Sequence, residues 1–147
     1  MTEPRWLNED EQQVWRSLVL GSARLLENVD RHLRNTHDLT LAEYEVLVRL
    51  SEAPERRVRM AALAESASHS RSRLSHTVGR LERDGLVRRE SCPGDKRGVF
   101  AVLTDDGMRK LATAAVDHVT EVRRLVFDPA DFADLTAAAR ALGSLPN

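Results

Sequence analysis

A single cysteine, Cys92, stands in a chain of 147 residues. That count excludes a disulfide framework within the chain and a multi-cysteine zinc site. No apolar run approaches the roughly 18 residues a membrane helix needs, so a membrane is not an expected partner. The first residues, Met1-Thr2-Glu3-Pro4-Arg5-Trp6, lack the basic, apolar and small-residue succession of a secretory signal. Internal repeats, low-complexity tracts and flexible linkers are missing too. A cytoplasmic, single-domain protein is the expectation. What is present, 41% apolar and 31% charged residues, reads as a soluble and mostly helical globule. The length supports one ordinary core.

The formal net charge of −1 hides an asymmetry. Between Glu55 and Arg97 stand eleven Arg/Lys and six acids, a local +5, which leaves 11 basic against 17 acidic residues elsewhere. A basic centre between acidic flanks is what a localised polyanion-binding surface needs. A solvated charged face gives the same count.

Apolar spacing divides the chain into helices. Val14, Leu18, Leu25, Val29 and Leu33 recur at three- and four-residue steps, widened by Trp15 and Leu26, and predict a helix from about residue 8 to 36. A helix of that length runs about 40 Å, long for one small domain, so part of it is expected to pack on another chain. Thr40-Leu41-Ala42-Glu43 is a capping box opening a short helix through Tyr44, Leu47, Val48 and Leu50, closed before Pro54. After a basic link over residues 55–59, Met60, Leu63 and Ala64 mark another short helix, interrupted by Ser66, Ser68 and Ser70. A helix from about residue 70 to 84 should bury Leu74, Val78 and Leu81 and stop at Gly85. Leu86 to Ser91, the turn Pro93-Gly94-Asp95 and the β-prone run Val99 to Leu103 then predict a hairpin. Thr104-Asp105-Asp106 caps a second long helix with Leu111, Ala115, Val119, Val122 and Val126 on one face, ending near Asp128-Pro129. A last helix covers about residues 131–142.

Two short helices, a serine-containing turn and a hairpin make a winged helix-turn-helix. With Leu74, Val78 and Leu81 inward, Ser72, His76, Gly79 and Arg83 point outward, Arg73, Ser75 and Arg80 flank them, and Arg71 sits at the N-terminal end. Small side chains permit close approach to base edges, Ser and His offer hydrogen bonds, and arginines grip guanine or phosphate. On the wing, Asp95 and Arg97 are two residues apart, so in an extended strand both leave on one side. The carboxylate can then fix the guanidinium for a narrow, electronegative minor groove.

The run Asp95-Lys96-Arg97-Gly98-Val99-Phe100-Ala101-Val102-Leu103-Thr104 resembles the wing signature of the multiple antibiotic resistance regulator (MarR) family. Ser70-Arg71-Ser72-Arg73-Leu74-Ser75-His76, followed by Leu81 to Arg89, is similar to that family's recognition helix and approach to the wing. The resemblance implies a mainly α fold with a small β-hairpin wing and a homodimeric regulator, usually a repressor, on double-stranded DNA. It also implies dimerisation helices over residues 8–36 and 105–147 around a DNA-binding region over 40–104. It places Ser70, Arg71, Ser72, Arg73, Ser75, His76 and Arg80 at the major groove, and Arg97, oriented by Asp95, in the minor groove. A small aromatic or anionic ligand between the dimer helices and the winged region is implied as well, with Trp15, Tyr44 and His118 as lining residues. His32, His37 and Arg49 are further conceivable neighbours.

No cofactor is expected. Cys92 lies beside Arg88, Arg89 and Lys96, which favour thiolate, yet a structural cysteine is the plainer reading. His32 and His37 are five apart, a poor helical chelate, so no metal is expected either. A protein-binding winged helix, or an architectural DNA binder without an inducer, is the competing function. Catalysis is not expected: Ser75, His76 and Asp84 share one helix without an orienting pocket, and no phosphate loop or nucleophile elbow occurs.

Overall fold

The computed structural model describes residues 3–66 and 71–145. Helix α1 spans Glu9–His37 and opens on a reciprocal cap. The Asn8 side chain accepts from the Glu11 backbone N–H at 2.8 Å, and the Glu11 carboxylate accepts from the Asn8 N–H at 2.9 Å. Glu9, Asp10 and Glu11 set negative charge against the positive end of the helix. The predicted apolar stripe divides in two. Val29 and Leu33 are buried and Leu25 packs beside them, whereas Val14, Trp15, Leu18 and Leu26 remain exposed.

Helix α2 (Leu41–Glu52) begins at the predicted capping box, with Thr40 Oγ1 accepting from Glu43 at 3.0 Å and the Glu43 carboxylate accepting from the Thr40 N–H at 2.8 Å. The basic link expected over 55–59 is instead a 3-10 turn, Pro54–Arg56, and a short strand β1, Arg57–Arg59. Three residues are too few for an alternation to show in sequence; Val58 becomes a strand residue by pairing with Ala101. Helices α3 (Met60–Ser66) and α4 (Arg71–Arg83) follow. Ser70, expected to start α4, lies outside the described residues, and the sheet is completed by β2 (Val87–Cys92) and β3 (Asp95–Leu103). The order β1-β3-β2 is antiparallel throughout, so the wing has three strands where a two-stranded hairpin was expected.

Helix α5 (Asp105–Val122) is capped by Thr104, whose Oγ1 accepts from Gly107 at 3.0 Å. Its inward side is Gly107, Leu111 and Ala114, while Val119 of the expected stripe is 54% exposed. At Arg123–Phe127 the chain widens into a π-helical turn, closed by the Asp128 N–H donating to Arg123 O at 2.8 Å, and Leu125 there packs against the core. Helix α6 (Phe132–Gly143) starts from Asp131, which accepts from Ala133 and Asp134.

One core joins these elements. Leu74, Val78 and Leu81 of α4 are buried against Leu33, Leu47, Leu50, Leu63 and, from the sheet, Val87, Ala101 and Leu103. Each of these Leu and Val side chains contributes about 1.5–3 kcal/mol by leaving water. The sheet meets α5 at Gly107, where a Cβ would lie 2.1 Å from the Leu86 carbonyl oxygen. That carbonyl also accepts the Thr104 N–H at 3.1 Å, so the residue leading into β2 and the start of α5 share one contact point. No helix among the described residues is long and apolar enough to cross a membrane.

Candidate nucleic-acid interface

The outer face of α4 follows from its buried one. With Leu74, Val78 and Leu81 inward, Ser72, Arg73, Ser75, His76 and Arg83 are exposed. Arg71 opens the helix as expected. Gly85, at φ 72°, ends the helix in a conformation that glycine adopts without strain.

The wing presents its arginine by breaking register. Ser91 opposes Val99, but Cys92 opposes Asp95, so Lys96, Arg97 and Gly98 bulge from β3. Bulges re-aim side chains. The expected pairing of the Asp95 carboxylate with the Arg97 guanidinium is not seen among the described residues. The Asp95 carboxylate accepts the backbone N–H of Arg97 at 3.0 Å and pairs with Arg59 at 3.5 Å, rather than gripping the Arg97 guanidinium. Asp95 shapes the bulge, and the guanidinium is left for another partner. Beneath it, a Cβ on Gly98 would come within 2.8 Å of both Asp95 Oδ2 and Cys92 Sγ, and Cys92 itself is buried.

Most of the basic excess is tied up within the protein. Arg56 pairs with Asp105, Arg57 with Glu55, and Arg88 with Glu90. Arg57 and Arg59 lie over the Phe100 ring at 5.0 and 5.6 Å. Arg89 reaches from the sheet to α4, donating to Ser75 O at 3.0 Å and standing 3.8 Å from Glu82. Arg80 also turns back, to Glu43 at 3.2 Å and Asp38 at 3.6 Å. Among the described residues, Arg83, Lys96 and Arg97 carry no ion pair. Between helix and wing runs a groove of about 440 Å³, floored by Ala64, Leu74 and Val99 and rimmed by Arg59, Arg89 and Arg97. Sequence reasoning missed Arg59 and Arg89 on that rim, since both stand in runs that look like ordinary charged surface.

Of the three residues expected to line a ligand cleft, the structure brings two together. The Tyr44 and His118 rings stack at 4.4 Å, near His32. His32 Nε2 and His118 Nδ1 are buried without a hydrogen-bond partner in the structure. Burial pushes the His118 pKa down, reinforced by the neighbouring His32 and opposed by Glu45. Burial likewise raises the Tyr44 hydroxyl. Trp15 is 59% exposed and, 17 residues before His32 on α1, about 25 Å away along the helix. His37 pairs with Asp117 of α5 at 2.8 Å.

A helix with an outward polar face, next to a sheet that projects a bulged arginine, defines the winged helix-turn-helix class of nucleic-acid-binding proteins. Comparison with known proteins narrows the class. The profile of the MarR family matches residues 37–98. Sco3205, a MarR family transcriptional regulator from Streptomyces coelicolor in complex with DNA, is 46% identical, with a TM-score of 0.91 over 95% of this chain and 88% of that one. AbsC, a MarR family transcriptional regulator of the same organism, is 42% identical, with a TM-score of 0.88 over 95% and 93%. The transcriptional regulator HosA of Escherichia coli is 39% identical over 77 residues, 52% of this chain, and the match spans 56% of that relative's length. The chain belongs to the MarR family of transcriptional regulators.

Proposed function

We propose that the protein is a homodimeric repressor that reads an inverted-repeat operator in double-stranded DNA. Helix α4 lies in the major groove, with Arg71, Ser72, Arg73, Ser75 and His76 as its contacts and Ser70, which precedes it in sequence, as another, and Arg97 enters the adjacent minor groove. The observation that carries this reading is the bulge. It projects an unpaired guanidinium beside a polar helix face, with a groove of about 440 Å³ between them.

Dimerisation is supported by apolar surface that the chain leaves uncovered. Val14, Trp15, Leu18 and Val19 on α1, Val116 and Val119 on α5, and Phe132 on α6 are all exposed. Phe127 stands 6.5 Å from Phe132. On this reading residues 8–36 and 105–147 form the layer between two copies, and 40–104 is the reading unit. The cluster of Tyr44, His118 and His32 suits a small aromatic or anionic ligand whose polar groups satisfy the two orphaned ring nitrogens. Trp15 then contributes to such a cleft only from the partner copy.

Binding of operator duplex by wild type and Arg97→Ala tests the wing. The expected loss is about 1–3 kcal/mol, with a shallower salt dependence. An unchanged affinity would remove Arg97 from the interface.

A further inference from the structure

Glu43 is the one buried charged side chain in the described core, 3% exposed, and it does two jobs with two oxygens. Oε2 accepts the Thr40 N–H at 2.8 Å and completes the cap of α2. Oε1 meets Arg80 Nε at 3.2 Å, on the helix that reads DNA. A carboxylate so enclosed has given up most of its hydration, and its two contacts hold Arg80 to one geometry. The same Arg80 guanidinium reaches Asp38 at 3.6 Å, the left-handed residue that ends α1. Asp38 is 89% exposed and adds little by itself, so Glu43 is the decisive contact.

The corner between α1 and α2 is fixed from other directions as well. Asp30 of α1 accepts the Leu41 N–H at 2.8 Å, and His37 holds Asp117 of α5. Arg80 therefore connects α4 to a rigid corner shared by α1, α2 and α5. Its position, one step off the outermost face of α4, would otherwise fit a phosphate contact.

We infer that Arg80 is a positioning residue, a strut from Glu43 that sets the rotation of α4 in the major groove, and not a contact to DNA. This rests on the DNA-binding reading above. It predicts that the two ends of the strut are equivalent to DNA: losing either one lets α4 turn, and losing both does nothing more.

The test compares full-length wild type, Glu43→Gln, Arg80→Gln and the double variant for binding to operator duplex over a range of salt, with folding checked by circular dichroism. The expected result is a similar affinity loss in each single variant, about tenfold, with no further loss in the double variant. Loss confined to Arg80→Gln, with the salt slope reduced by about one and Glu43→Gln unaffected, overturns the strut and makes Arg80 a phosphate contact. Additive losses overturn it too. Where Glu43→Gln fails to fold, Arg80→Lys decides. A lysine serves a phosphate as a point charge but lacks the Nε that meets Glu43. A loss equal to that of Arg80→Gln supports the strut, and retained affinity overturns it. Absence of any operator binding by wild type would instead sink the DNA-binding reading itself.

Discussion

At the scale of single residues, Gly107 shows how closely this chain is drawn together. Gly107 sits where the start of α5 touches the chain leading into β2, and a Cβ there would meet backbone, which cannot swing aside as a flexible side chain can. Gly107→Ala should therefore cost about 1–3 kcal/mol or more in urea unfolding; a neutral substitution would contradict the contact. A second residue-scale expectation concerns acid. The folded pKa of His118 lies below its ordinary value near 6.5, because burial and then His32 disfavour the cation. The unfolded chain thus binds the proton first, and stability falls as pH drops below about 6.5 toward the folded value. Unfolding at pH 7.5 and 5.5 should show that loss, and His118→Ala should lessen it. An equal acid loss in the variant would assign the effect elsewhere. Single residues were unevenly legible in the sequence. Thr40 and Glu43 announced their cap, and Asn8 and Glu11 carry the same spacing before α1. The second role of Glu43, toward Arg80, depends on a neighbour 37 positions away and leaves no local mark.

Elements were legible where periodicity extends over several turns. Helices α1, α2 and α4 fall where their apolar spacing places them, α2 with its cap as well, because burial acts on residues three or four apart. Strand β1 was not, since three residues gain their identity only by lying along β3. The π-helical turn after α5 was also invisible, as a one-residue widening does not disturb an apolar pattern. The wing was read as a plain extended strand, and its bulge changed the chemistry of Asp95. That correction yields a prediction about the element. Gly98→Ala adds a Cβ within 2.8 Å of Asp95 Oδ2 and Cys92 Sγ, so the bulge must shift while the core beneath stays intact. Duplex affinity should fall by about 1–3 kcal/mol, as for loss of the Arg97 contact, with little change in thermal unfolding. A variant that binds as wild type would show that the bulge does not aim Arg97.

For the whole molecule, the chain's own core and its uncovered surface tell complementary stories. Leu33, Leu47, Leu50 and Leu81 close one core that binds the long helix to the winged region. The N-terminal half of α1 and the outer sides of α5 and α6 extend beyond it with large apolar residues in water. The sequence predicted that excess from helix length alone, but not which residues would be left out, because that depends on where α5 crosses α1. A two-fold pair formed through those surfaces would place two copies of α4 to read half-sites one helical turn apart. Selection of bound duplexes from a random library, followed by sequencing, tests this most directly. The account predicts an enriched inverted repeat with half-site centres about 10 base pairs apart. Salt-sensitive retention without enrichment, or no retention at all, would contradict it.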